Sequence, residues 1–305
     1  MKTNKILVSA FAFSLAFASF TSCSSDSGSS LPPIGGYDNA GQVGEADLVA
    51  YWPLNGNGKE SKSNTSPTST VGATYEDGIK GQGAKLTNGY MKYPSIAALT
   101  GPMNAYTISA WAKLTNNQTP TTGSVSVLLS LTRPGEWEGN LNLYAETGQR
   151  PAVEASGMVN DSIVFKSGFR TAASDGQAYE NLLHLEPWMI ADNLVTPNKH
   201  VARPIAVART WAHVVATWDG TTNKFIVYIN GVKSSNPAFE VRGSNTSIIF
   251  DTPTSPVIGG FGNVDTTSDT WNKPMTGSVD EIRVWKKALS AADVNSLYEL
   301  ELVGR

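Results

Sequence analysis

The chain has 305 residues, 23 Lys and Arg against 26 Asp and Glu, a net charge of −3, 40% hydrophobic side chains and a single cysteine. A mildly acidic chain without a basic block is a poor partner for nucleic acid, and one thiol excludes internal disulfides. The length accommodates one large β domain.

The N-terminus reads as an export signal. Lys2 and Lys5 precede Leu7 to Phe20, a run with no charged residue. This run is short of the roughly 20 apolar residues that span a bilayer as a helix, and it fits the apolar centre of a cleavable signal. Thr21-Ser22-Cys23 resembles a bacterial lipobox. The resemblance implies cleavage after residue 22, lipidation of Cys23, and a place on the outer membrane of a Gram-negative bacterium, surface-exposed and held through the lipid alone. Losing residues 1–22 removes two lysines and no acid, which takes the charge from −3 to −5. Residues 23–44 are rich in Ser, Gly and Pro and read as a flexible tether, so the folded domain is expected over 45–305.

Strand signals follow in order. Asp47–Leu54, Ala105–Lys113, Ser124–Leu131, Trp211–Asp219 and Asn223–Asn230 are dense in Val, Ile, Thr and aromatics, with Gly, Pro, Asn or Asp at their ends. Shorter runs at Asn140–Tyr144, Ser162–Lys166, Ser247–Phe250 and Pro256–Ile258 fit the same pattern. In the 211–219 run, Ala212, Val214, Ala216 and Trp218 share one face, and His213, Val215 and Thr217 the other. Thr221-Thr222-Asn223 turns the chain into a hairpin. On Val279–Trp285, simple alternation puts Asp280 on the same face as Ile282 and Val284, taken as the inner one. Ser290-Ala-Ala-Asp293 has capping-box spacing, with Val294, Leu297 and Tyr298 following at helical intervals. The pattern predicts an all-β sandwich or barrel with one short C-terminal helix.

Six segments in this order carry a family resemblance: Leu48–Gly56, Tyr106–Ala112, Trp211–Gly220, Val227–Gly231, Val257–Gly260 and Gly277–Trp285 running into Ala288–Asp293. The series resembles laminin-G-like, concanavalin A-like domains, and implies a two-sheet jelly-roll sandwich with an insertion at about 116–210. It also implies one structural Ca²⁺ near Asp280, shared with the Asn55-Gly56-Asn57-Gly58 loop, where Asn55 and Asn57 would add oxygens. Glu60-Ser61-Lys62 stands where the family loop carries an Asp and a Ser-Gly pair. Without a cation, Asp280 would accept backbone amides or pair with Arg283 or a lysine.

The fold alone does not name a function; loop residues do. Trp52, Trp111, Trp211, Trp218 and Trp285 lie in strands and read as core, whereas Trp137, Trp188 and Trp271 lie in loops beside Gly, Pro, Glu or Asn. Sugar rings have apolar faces that stack on indoles, and neighbouring carboxylates and amides accept from or donate to the hydroxyls. Glu136 and Glu138 flank Trp137 and would share a face on a strand, which makes the spacing of a glycosidase pair possible; the other reading is a solvated charged turn. His184, His200 and His213 form no metal-ligand spacing, and Cys23 is consumed by lipid. The residues point to an anchored, lectin-like protein that captures polysaccharide or host glycan, with no catalytic residue named. The alternatives are an adhesion or assembly module binding a protein in a surface uptake complex, and a glycoside hydrolase.

Overall fold

Runs of β-branched and aromatic residues bounded by turn formers commit most of this chain to strands. The computed structural model describes residues 31–101, 103–115, 124–147, 162–172, 178–180, 205–235, 237–241 and 247–305; Cys23, Trp188, His184 and His200 lie outside them. The described strands are β1 Leu48–Trp52, β2 Ser69–Asp77, β3 Gln82–Lys92, β4 Ala105–Leu114, β5 Ser124–Leu131, β6 Leu141–Thr147 and β7 Ser162–Ala172. They continue with β8 Ala178–Glu180, β9 Ile205–Val207, β10 Ala212–Asp219, β11 Lys224–Ile229, β12 Val232–Lys233, β13 Pro256–Ile258 and β14 Met275–Trp285. The described α-helices are α1 Pro237–Glu240 and α2 Ala291–Leu302.

The strands form one hydrogen-bonded path, β12-β11-β10-β4-β14-β3-β13-β5-β6-β7-β8, with β1 on β14, β2 on β3 and β9 on β7. Neighbouring strands pair antiparallel. The path curls over itself into two layers. Phe169 of β7 meets Trp218 of β10 at 5.0 Å, Phe225 of β11 at 5.2 Å and Tyr106 of β4 at 5.3 Å between ring centroids. The core between the layers holds Trp52, Ile108, Val214, Ala216, Val227, Val279, Ile282 and Val284 on one side and Leu129, Leu131, Leu143, Ile163 and Phe165 on the other. The middle of the chain is therefore more than an insertion, because β5, β6 and β7 supply one wall of the core.

A second apolar layer lies outside the sheet, where α2 docks. Ser290 caps this helix, its hydroxyl accepting from the Asp293 amide while Asp293 accepts from the Ser290 amide. Val294, Leu297 and Leu300 bury against Val215, Tyr228 and Trp285. The expected faces of β10 hold: His213 and Val215 point outward under α2 and Ala212, Val214, Ala216 and Trp218 inward.

Four expectations require correction. The folded unit begins at Pro33, not at residue 45. Ala40 and Val43 are buried, Tyr37 donates to Asp293 at 2.7 Å, and the carbonyls of Ala40 and Val43 accept from Arg283 and Trp285, so residues 33–44 are packed strap rather than tether. Ser247–Phe250 forms only a single bridge position, at Ile248. β2 and β3 carry little apolar alternation and escape a pattern reading, because β2 is mostly exposed and β3 is interrupted by Gly83 and Gly89.

The fourth correction concerns Asp280. Pairing of β14 with β4 shifts register between Asp280 and Arg283, and Glu281 sits at φ +49°. This bulge resets the alternation. Val279 and Ile282 both face the core, while Asp280, opposite Trp111, and Arg283, opposite Ser109, face outward. Asp280 therefore does not share a face with Ile282 and Val284.

Candidate functional site

Two loops meet at one end of the β5–β6 hairpin: residues 132–140 between β5 and β6, and 259–274 between β13 and β14. The first loop is pinned by two buried asparagines. Asn140 Nδ2 donates to the carbonyls of Thr132 (2.9 Å) and Asp251 (2.8 Å), and its Oδ1 accepts from the Asp251 amide. Asn142 Oδ1 accepts from the Gly139 amide and from Ser130 Oγ, while its Nδ2 donates to the carbonyls of Gly139 and Gly168. A Cβ on Gly139 would lie 2.2 Å from the Leu131 carbonyl oxygen, so only glycine allows this close return. The second loop is tied down by the Trp271 carbonyl accepting from Val125 and by Asn272 donating to Asn263.

These anchors bring Trp137 and Trp271 together. Their ring centroids are 4.9 Å apart at 83°, edge to face, and Trp137 rests on Phe261 at 5.0 Å in the same manner. Phe261 in turn touches Tyr144 at 5.6 Å, above Val127. Trp137 keeps 37% of its surface exposed, the only exposed aromatic among the large apolar side chains of the described residues. An indole this open is held in place by rings behind it, which leaves little side-chain entropy to lose on binding.

Beside Trp137 lies an open pocket of about 440 Å³ lined by Thr132, Arg133, Gly135, Glu136, Gly262 and Asn263. Of the two glutamates flanking Trp137, only Glu136 lines it, with its side chain 52% exposed. Glu138 is buried at 1%. The segment is a turn rather than a strand, so the two carboxylates do not share a face as strand geometry would require. Arg133, Asn263 and Phe261 were not singled out from sequence. The Arg133-Pro134-Gly135 turn ahead of Trp137 was the available signal.

The residues nominated for calcium also come together, through a turn. Asp280 Oδ2 accepts from the amides of Ile79 (2.8 Å) and Lys80 (3.2 Å), and Oδ1 from the Glu281 amide (2.9 Å). Asn55 Oδ1 accepts from the Gln82 amide on the other side of the same turn, and Asn57 Oδ1 accepts from Lys59. A Cβ on Gly78 would sit 2.4 Å from Asp280 Oδ2. Each of these side-chain oxygens accepts from a backbone amide. No group of three His, Cys, Asp or Glu side chains suited to a metal occurs among the described residues. As arranged, these side chains clamp the β2–β3 turn. Burial and the adjacent Glu281 push the Asp280 pKa up to about 7, against the three amides that lower it.

A buried polar cluster under α2 completes the titratable inventory. Arg283 pairs with Glu281 (2.5 Å) and with Glu301 (2.9 Å). Glu301 accepts from Trp111 Nε1 (2.7 Å) and lies 3.5 Å from His213 Nε2, while Tyr51 donates to Glu281. Burial, then the Arg283 charge, lowers the His213 pKa to about 3. Burial raises that of Glu301, with the charges of Glu281 and Asp280 acting in the same direction. All four charged or imidazole groups are at 1% exposure or less, so this cluster is a seam between sheet, strap and helix rather than a ligand site.

Residues 161–295 match the family model described as the concanavalin A-like lectin/glucanases superfamily. Over those residues the chain is similar to concanavalin A-like domains. The match begins just before β7, yet β1, β3 and β4 belong to the same sheet as β10 and β14, so the sheet extends N-terminally beyond the matched residues. No curated protein sequence matches the chain. Among solved structures, the botulinum neurotoxin serotype G binding domain aligns with a TM-score of 0.51 at 11% identity, over 83% of this chain and 51% of that one. The binding domain of botulinum neurotoxin DC, in complex with rat synaptotagmin II, gives 0.50 at 11% identity, over 85% and 52%. Domain 4 of AbnA, an extracellular arabinanase from Geobacillus stearothermophilus, in complex with arabinotriose, gives 0.46 at 19% identity, over 83% and 98%. The chain spans about half the length of the two neurotoxin domains, and likeness at such identities concerns the fold.

Proposed function

We propose that this protein is a lipid-anchored, lectin-like carbohydrate-binding module that captures glycan at the outer surface of a Gram-negative bacterium. The observation that carries the reading is the half-open Trp137 indole, braced by Trp271 and Phe261 beside a pocket with Arg133, Glu136 and Asn263. An apolar ring face stacks on the indole while hydroxyls meet a guanidinium, a carboxylate and an amide, which is the mixture that a sugar requires. The concanavalin A-like fold is consistent with such a role without specifying it. In this reading Cys23 carries the lipid that holds the domain at the membrane.

A glycan panel tests the reading. Trp137→Ala is expected to weaken binding at least tenfold, about 1.4 kcal/mol, with the melting temperature kept within about 2 °C because the side chain is partly exposed. Trp271→Ala is expected to weaken binding through loss of the brace. Failure of every glycan to bind at millimolar concentration, or full binding by both variants, defeats the proposal. The address is tested separately: Cys23→Ser is expected to abolish incorporation of labelled palmitate and release the protein from the membrane fraction.

A further inference from the structure

The wall of the Trp137 pocket carries charge of both signs. Arg133 is buried, its side chain 6% exposed. Its Nη2 lies 3.7 Å from Glu136 Oε2 and its Nε 4.0 Å from Asp251 Oδ2, separations too long for hydrogen bonds. Nε and Nη1 have no hydrogen-bond partner. Asp251 also lies 3.9 Å from Arg170 Nη1, so two guanidiniums and two carboxylates balance to zero. Nε and Nη1 are shut off from solvent, so an acceptor from outside meets this guanidinium at Nη2, the nitrogen nearest Glu136.

We propose that this pocket selects uncharged glycans, and that the Arg133–Glu136 pair reads adjacent hydroxyls of a neutral sugar. The inference rests on the glycan reading above and adds the ligand class. A hydroxyl both accepts and donates. One hydroxyl oxygen takes an N–H of Arg133, and its neighbour donates to the Glu136 carboxylate, while the ring face lies against Trp137. No net charge enters the site. A uronic acid or sulfated sugar also offers oxygens to Arg133, but it sets its own negative charge beside Glu136, with Asp251 behind, and like charges repel. Glu136 is thus the group that excludes acidic glycans, and Arg133 the group that holds neutral ones.

The test uses the full chain and matched oligosaccharide series: neutral glucose, galactose, mannose, xylose and arabinose oligomers, the corresponding uronic acid oligomers, and sulfated versions. Binding is assigned to this pocket where Trp137→Ala weakens it. Among ligands assigned to the pocket, the neutral member is expected to bind at least tenfold more tightly than its acidic counterpart. Glu136→Gln is expected to narrow that gap to threefold or less by improving the acidic ligand. Its melting temperature should match that of wild type, because the Glu136 side chain is 52% exposed. Acidic oligomers that bind this pocket as tightly as neutral ones, or a gap that Glu136→Gln leaves unchanged, overturn the selectivity while leaving the glycan reading standing. No binding to any series overturns both.

Discussion

Glu301→Ala removes a carboxylate that three buried groups share. Arg283 loses the partner at 2.9 Å and keeps Glu281, Trp111 Nε1 loses its acceptor at 2.7 Å, and His213 loses its neighbour at 3.5 Å. Breaking a buried ion pair costs about 3–5 kcal/mol because a charge is left partly uncompensated, and a stranded buried donor costs about 1–3 kcal/mol. The two overlap, since Glu281 retains half of the Arg283 pairing, so a total of about 3–5 kcal/mol is expected. That is a large part of the 5–15 kcal/mol typical of a domain. Glu301→Gln keeps an oxygen for Trp111 and should cost less than alanine. Urea unfolding followed by tryptophan fluorescence measures both, and hydrogen exchange should show α2 and residues 40–43 opening first. A loss below about 1 kcal/mol for alanine would refute the view that this seam holds strap and helix to the sheet.

Three further outcomes follow from the same geometry. His213 is neutral in the folded protein, with its pKa near 3 against an ordinary 6.5; the unfolded chain therefore binds the extra proton between these values. Stability is expected to be unaffected by this group above pH 6.5 and to fall by about 1.4 kcal/mol per pH unit as pH drops below about 5. His213→Gln should remove that slope in a series of melting curves. Gly139→Ala forces a Cβ to within 2.2 Å of a backbone oxygen, so a loss of about 2–4 kcal/mol and weaker glycan binding are expected together, read by unfolding and titration on one sample. For Asp280, whose oxygens already accept three amides, Asp280→Ala should destabilise by about 2–3 kcal/mol, while a chelator should leave the wild-type melting temperature within about 1 °C. A large drop on chelation would instead support the calcium expectation.

Much of the fold was legible because strand formation and one-sided burial leave local marks. The faces of β10 follow from alternation, and the α2 capping box follows from Ser290 and Asp293. Trp137 and Trp271, 134 positions apart, could each be suspected as loop indoles, and Glu136 as a neighbour. Their meeting could not be read, nor could the place of Arg133 beside them, because contact between two loops is set by how the sheet curls.

By itself, the sequence determined the β class, the C-terminal helix and the loop tryptophans Trp137 and Trp271, since each depends on side chains within a few residues of one another. Only the tertiary structure decided the rest. One extra residue in β14 turned Asp280 outward from the core and made it a clamp on a turn, a reversal that alternation cannot anticipate when a residue at φ +49° resets the count. The packing of residues 33–44 likewise depends on acceptors offered to Arg283 and Trp285 from more than 240 positions away. Long-range pairing, not local propensity, determines where polar groups find partners, and here it also determines which indole remains open to a ligand.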